Sequence, residues 1–147
     1  MSAPFLSNTY PAVEGAIASI RHDLATIAAF LGASEAVVAD VRLASSEAAT
    51  NVVENVYENR GGRIRVQVTP LEDVLAIVVS DDGNRALQPR RGTGSRLGLI
   101  VMRECADSVS VERTTSGGIE IRMRFGLRRD RERPPPHTAA RRQATAA

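Results

Sequence analysis

The sequence predicts an α+β fold, and three observations predict it. Apolar residues recur at three- and four-residue steps from Val13 to Leu31 and again from Val37 to Val56, which marks two long amphipathic helices. Residues 63–69 alternate strictly and residues 74–79 are continuously apolar, which marks two strands of different burial. Short turn-forming stretches, Pro70 to Asp73 and Thr115 to Gly118, join neighbouring strand segments and so favour antiparallel pairing. At 147 residues and 43% hydrophobic content the chain can bury a single core without staples.

Residues 3–10 read as a short edge strand. Pro11 is expected to open the first helix, where its missing N–H costs nothing, and Gly32 to end it. Val13, Ile17, Ile20, Leu24, Ile27 and Leu31 form its buried stripe. Ser34 is a good N-cap for the second helix, with Glu35 in the first turn suiting the helix dipole. Val37, Val38, Val41, Ala44, Ala48, Val52 and Val56 give that helix its apolar stripe, and Gly61–Gly62 should stop it.

The strand 63–69 should have one wet face. The strand 74–79 reads as a central strand covered on both faces. Residues 84–96, rich in Arg, Pro and Gly, read as a mobile loop, and a short helix begins near Leu99. Strands 108–113 and 119–125 close the domain as a hairpin, with Ile119, Ile121, Met123 and Phe125 on one face. The folded body therefore spans residues 1–127. Residues 128–147, with six Arg and Pro134-Pro-Pro136, hold too little apolar content to fold and read as a disordered tail.

Composition narrows the function. Every basic residue is Arg, so neither a Walker-type phosphate loop nor the strand lysine of common eukaryotic protein kinases can exist here. A nucleotide site would have to neutralise phosphate with metal, backbone N–H groups or Arg. Trp is absent and aromatics are scarce, which disfavours base stacking and direct nucleic-acid binding. A basic nucleic-acid arm at residues 128–147 is the competing reading of the tail. Cys105 is the lone cysteine and there are two His, too few for an intrachain disulfide or an easy zinc site. No apolar run approaches membrane-spanning length, and the first ten residues lack a signal-peptide pattern, so a cytoplasmic setting is expected. Arg21-His22-Asp23 invites a phospho-acceptor reading, but an exposed or packed helical histidine is the simpler one.

The chemistry concentrates in the second helix. Glu47, Asn51 and Asn55 lie four apart and share a face distinct from the apolar stripe. A carboxylate one turn from an amide oxygen can accept a proton while the amide binds a hard cation such as Mg²⁺. Downstream, Ser80-Asp81-Asp82-Gly83 makes an acidic turn at the end of the apolar strand. Gly92, Gly94 and Gly98 then lead into a helix, where backbone N–H groups meet phosphates readily. Each piece taken singly is common; their order is the specific signal.

Glu47-x-x-x-Asn51 with Tyr57 following, Asp81-x-Gly83, and Gly92-x-Gly94 ahead of Leu97-Gly98-Leu99 together resemble the Bergerat-fold ATPases, to which gyrase and the histidine kinases belong. Within them the chain is most similar to the bacterial anti-sigma-factor serine/threonine kinases, over residues 10–126. The resemblance implies a two-layer α/β sandwich with a mixed, mostly antiparallel sheet and three helices on one face. It also implies ATP and Mg²⁺ as ligands, with Asn51 holding the metal and Glu47 acting as the base. Asp81 would accept from the adenine amino group, and Gly83 would clear space for the ring. Gly92, Gly94, Leu97 and Gly98 would shape the lid and phosphate site, and Arg96 is placed to add charge near the γ-phosphate.

The implied partners are a sigma factor and an anti-anti-sigma (STAS-type) protein, for a homodimer away from any membrane. Two positions depart from the family pattern. Asn55 stands where His is frequent, and Arg85 replaces a second glycine after Gly83. With Glu47 and Asn51 intact, the expectation is an active protein-serine kinase. The alternative is a non-catalytic binding module of the same fold, which Arg85 would favour.

Overall fold

The computed structural model describes residues 5–55, 62–81, 95–115 and 117–128, with Asn55, Ser95 and Arg96 described by backbone alone. The elements run β1 (Leu6–Pro11), α1 (Glu14–Phe30), α2 (Glu35–Asn55), β2 (Arg63–Leu71), β3 (Val74–Asp81), α3 (Ser95–Cys105), β4 (Ser108–Arg113) and β5 (Ile119–Gly126). The five strands form one sheet in the order β1-β2-β3-β5-β4, with every neighbouring pair antiparallel.

Pro11 closes β1 instead of opening α1. It pairs with Arg63 on an edge strand, where a residue without an N–H loses no ladder bond, and the ladder continues as Ala12 N–H donates to the Gly62 carbonyl at 2.8 Å. The helix starts at Glu14, behind an extended Val13 that offers no side-chain cap. Gly32, at φ +89°, ends α1 as expected. Its N–H donates to the Ala29 carbonyl and the Ala33 N–H to the Ala28 carbonyl, so two otherwise unsatisfied carbonyls are met in a Schellman arrangement. Ser34 Oγ accepts from the Val37 N–H at 3.3 Å, as an N-cap should. The Ser34 N–H donates to the Leu127 carbonyl, and the Leu127 N–H to that of Asp73, which ties the start of α2 to the sheet's end.

The β2 strand runs further than alternation alone suggests. Pro70 and Leu71 pair with Leu75 and Val74, which leaves Glu72 and Asp73 as a two-residue turn with Glu72 left-handed at φ 55°.

Antiparallel register puts directly opposite residues on the same face. Val66 faces Val79, Val68 faces Ile77, Leu75 faces Phe125, Ile77 faces Met123 and Val79 faces Ile121. All of these are essentially inaccessible to solvent. They join Ile20 and Leu24 of α1, Val37, Val41, Ala44, Ala48 and Val52 of α2, and Met102 of α3 in one core. Val56, the last residue of the expected stripe, lies outside the described residues.

The continuous apolar run of β3 predicts cover on both faces. Instead Val74, Ala76 and Val78 are half-buried, because the described helices lie over one face only. Within that layer α2 is central: it touches α1, α3, β2, β3 and β5. The chain therefore folds as a two-layer α+β sandwich. Apart from Arg128, the expected tail lies outside the described residues.

Candidate functional site

The helical repeat places Glu47 and Asn51 one turn apart, and the packing of α2 decides what they meet. Asn51 is 8% exposed, one of two buried polar side chains among the described residues, and Glu47 is half-buried. Against them lies α3 at Gly98, itself buried. A Cβ built on Gly98 would stand 3.0 Å from Glu47 Oε2, 3.3 Å from Asn51 Oδ1 and 3.6 Å from Asn51 Nδ2. Carboxylate and amide thus converge on one point of the α3 backbone, partly sheltered from water. Shelter of this kind strengthens electrostatic interactions with a bound cation or phosphate.

Asp81 ends the inward-facing row of β3, following Leu75, Ile77 and Val79, so pleat alternation turns its side chain to the helix-covered face. The β3–β5 ladder stops at Ser80 and Glu120. Past that pair, Asp81 Oδ2 accepts from the Ile119 N–H at 2.9 Å. One carboxylate oxygen is thereby held by the neighbouring strand, which fixes the orientation of the group. The start of β5 is held in turn by the hairpin, where the Gly118 N–H donates to Thr114 Oγ1 at 2.9 Å.

Among the residues singled out from the sequence, the structure brings Glu47, Asn51 and Gly98 together and sets Asp81 at the strand end. Leu97 is 71% exposed on α3, so its side chain lies in solvent and not against the acid and amide. Arg96 belongs to the first turn of α3, with its side chain outside the described set. Gly83, Gly92 and Gly94 lie outside the described residues, as do Tyr57 and Arg85. His22 is exposed on α1. A groove of 430 Å³ between the start of α1 and the end of α2, lined by Glu14, Ile17, Thr50, Val53 and Glu54 among others, includes neither Glu47 nor Asn51.

Two features escaped sequence reasoning. The glycine-rich pattern places Gly98 in a loop ahead of the third helix, but α3 already starts at Ser95, which makes it a helical glycine packed on the acid. An isolated helical glycine is a packing signal, and it could have been read so. The anchoring of Asp81 by Ile119 spans 38 positions of sequence and had no local mark.

No cluster of three His, Cys, Asp or Glu side chains suited to a metal occurs among the described residues. The donor set present is one amide oxygen beside one carboxylate. That suits Mg²⁺, a hard cation usually held by one or two protein oxygens plus substrate phosphates and water.

Comparisons with known proteins bear on the family and the fold. The sequence profile described as histidine kinase-like ATPase domain matches residues 10–125. The chain is 32% identical over 122 residues to the anti-sigma F factor of Caldanaerobacter subterraneus subsp. tengcongensis, covering 76% of this chain and 85% of that protein. It is 31% identical over 147 residues to the serine-protein kinase RsbW of Bacillus licheniformis, covering 88% and 90% respectively. In fold it is similar to a Mycobacterium tuberculosis chain carrying RsbU and RsbW domains, with a TM-score of 0.65 and 24% identity. That match covers 87% of this chain and 34% of the longer one.

Proposed function

Because the chain belongs to the histidine kinase-like ATPase domain family, we propose that it is an ATP-dependent protein-serine kinase that also sequesters a sigma factor. Its phosphoryl acceptor would be a serine on an anti-anti-sigma (STAS-type) protein. The observation that carries this reading is the convergence of Glu47 Oε2 and Asn51 Oδ1 on Gly98, at 3.0 and 3.3 Å from one point. Related proteins are named anti-sigma F factor and serine-protein kinase, which supports the choice of partner class and reaction.

In this reading Asn51 Oδ1 would hold Mg²⁺, which would supply charge neutralisation for the nucleotide phosphates. Asp81, held by the Ile119 N–H, accepts from the adenine amino group. Glu47 takes the proton of the serine hydroxyl as its oxygen bonds to the γ-phosphorus and the bond to the β,γ-bridging oxygen breaks, leaving ADP. Catalysis is then mainly positioning and charge neutralisation. Protein association, including a homodimer, uses other surfaces. Partner switching follows: a phosphorylated antagonist no longer holds the kinase, which is free to capture sigma.

The test is intact-mass analysis of a STAS-type antagonist incubated with the protein and Mg·ATP. The expected result is a gain of one phosphate, abolished by Glu47→Ala, with ATP binding by that variant retained in calorimetry. Normal phosphotransfer by Glu47→Ala removes Glu47 as the base. ATP binding without any phosphate gain by the unaltered protein favours the non-catalytic binder, to which the Arg85 departure points.

A further inference from the structure

We propose that Gly98 is a positioning residue for Glu47 and Asn51, and that its missing side chain is what sets both groups in their working places. The proposal rests on the kinase reading above and adds a determinant to the same site.

A glycine inside a helix is destabilising relative to alanine. Gly98 is the fourth residue of an eleven-residue helix. Backbone freedom does not explain it: among the described glycines only Gly32 and Gly117 have positive φ, so any residue could adopt the conformation of Gly98. Space does explain it. All three atoms nearest its absent Cβ are the ends of Glu47 and Asn51 side chains, at 3.0, 3.3 and 3.6 Å. The contrast is Gly15 of α1, also helical, where an added Cβ meets nothing within 4 Å.

The first atoms that a Cβ at position 98 would meet are therefore polar side-chain ends and not backbone or core carbon. It would displace a carboxylate oxygen and an amide by a few tenths of an ångström, which flexible side chains can yield cheaply. The fold should persist while the reactive atoms move. Reaction rates respond steeply to such movement, since misplacement by about 1 Å can cost on the order of a hundredfold. The shift expected here is smaller, so a loss of roughly tenfold is in proportion.

The experiment compares Gly98→Ala with Gly15→Ala in the full chain. For Gly98→Ala the expected result is a melting temperature equal to or above that of the unaltered protein. The kcat for phosphotransfer should be about tenfold lower, with KM for the antagonist unchanged. Its Mg²⁺-dependent gain in ATP affinity, read by calorimetry with and without EDTA, should also shrink, because Asn51 is displaced too. Gly15→Ala should leave kcat, KM and the Mg²⁺ effect unchanged while also holding or raising the melting temperature.

A Gly98→Ala protein with kcat within twofold of the original and an intact Mg²⁺ effect overturns the proposal. So does a melting temperature several degrees lower, which assigns the glycine to packing alone. If the unaltered protein transfers no phosphate yet loses the Mg²⁺ effect on Gly98→Ala, the kinase reading fails and the positioning role stands.

Discussion

Replacing Asn51 by Asp tests the geometry of the site without any ligand. The substitution keeps the shape of the side chain and adds a second carboxylate beside Glu47. Glu47 Oε2 and Asn51 Oδ1 both lie within 3.3 Å of the same point, so they can be no more than twice that distance apart. Two unit charges at that separation repel by about 2.5 kcal/mol at an effective dielectric of ~20 and by ~0.6 kcal/mol in water. Asn51 is buried but Glu47 is only half-buried, so solvent screening brings the expected penalty to about 1–2 kcal/mol at neutral pH.

The sign of the pH dependence follows. Like-charge repulsion raises the titration of the pair in the folded state above its ordinary unfolded value near 4. The variant should therefore match the original protein at low pH, where the pair sheds its second charge. It should lose stability as pH rises through the raised value. Urea unfolding between about pH 5 and pH 8 measures this directly, as a midpoint difference that opens with rising pH. A penalty of equal size at both ends of that range, or none at pH 8, would mean that the two side chains do not face each other.

Two other substitutions probe the frame that holds the site. Tyr10 Oη donates to Asp23 Oδ2 at 2.6 Å, joining β1 to α1, and burial first, then this bond, pushes its hydroxyl up to about 12. The stability this contributes is complete below pH 10 and is lost as pH rises through about 12. Tyr10→Phe should cost roughly 1.5–3 kcal/mol at neutral pH and flatten the alkaline fall in thermal stability. An unchanged alkaline profile would contradict the assignment. Ser45 Oγ is fully buried, with no hydrogen-bond partner among the described residues. Ser45→Ala should accordingly leave stability unchanged or raise it by about 1–2 kcal/mol in urea unfolding, whereas a clear loss would reveal a partner for the hydroxyl.

Local information sufficed for a great deal here. The apolar stripe of α1 from Ile17 onward, that of α2, the left-handed glycine after α1, the Ser34 cap and the inward row of β5 all follow from repeats of two or 3.6 residues and from single-residue backbone preferences, whereas Val13, expected in the first stripe, is 53% exposed ahead of the helix. So did the pairing of Glu47 with Asn51, because one helical turn fixes it.

What depended on distant segments could not be read in advance. The periodicity of β3 shows that it is buried, but not that helices cover one face only, since that depends on where three separate helices pack. Pro11 is equally at home at a helix start and on a sheet edge, and only its pairing with Arg63 chose between them. The approach of Gly98 to the acid and amide belongs to the same class. A glycine leaves no pattern in sequence, and its meaning lies in the atoms that another helix brings to the space it leaves open.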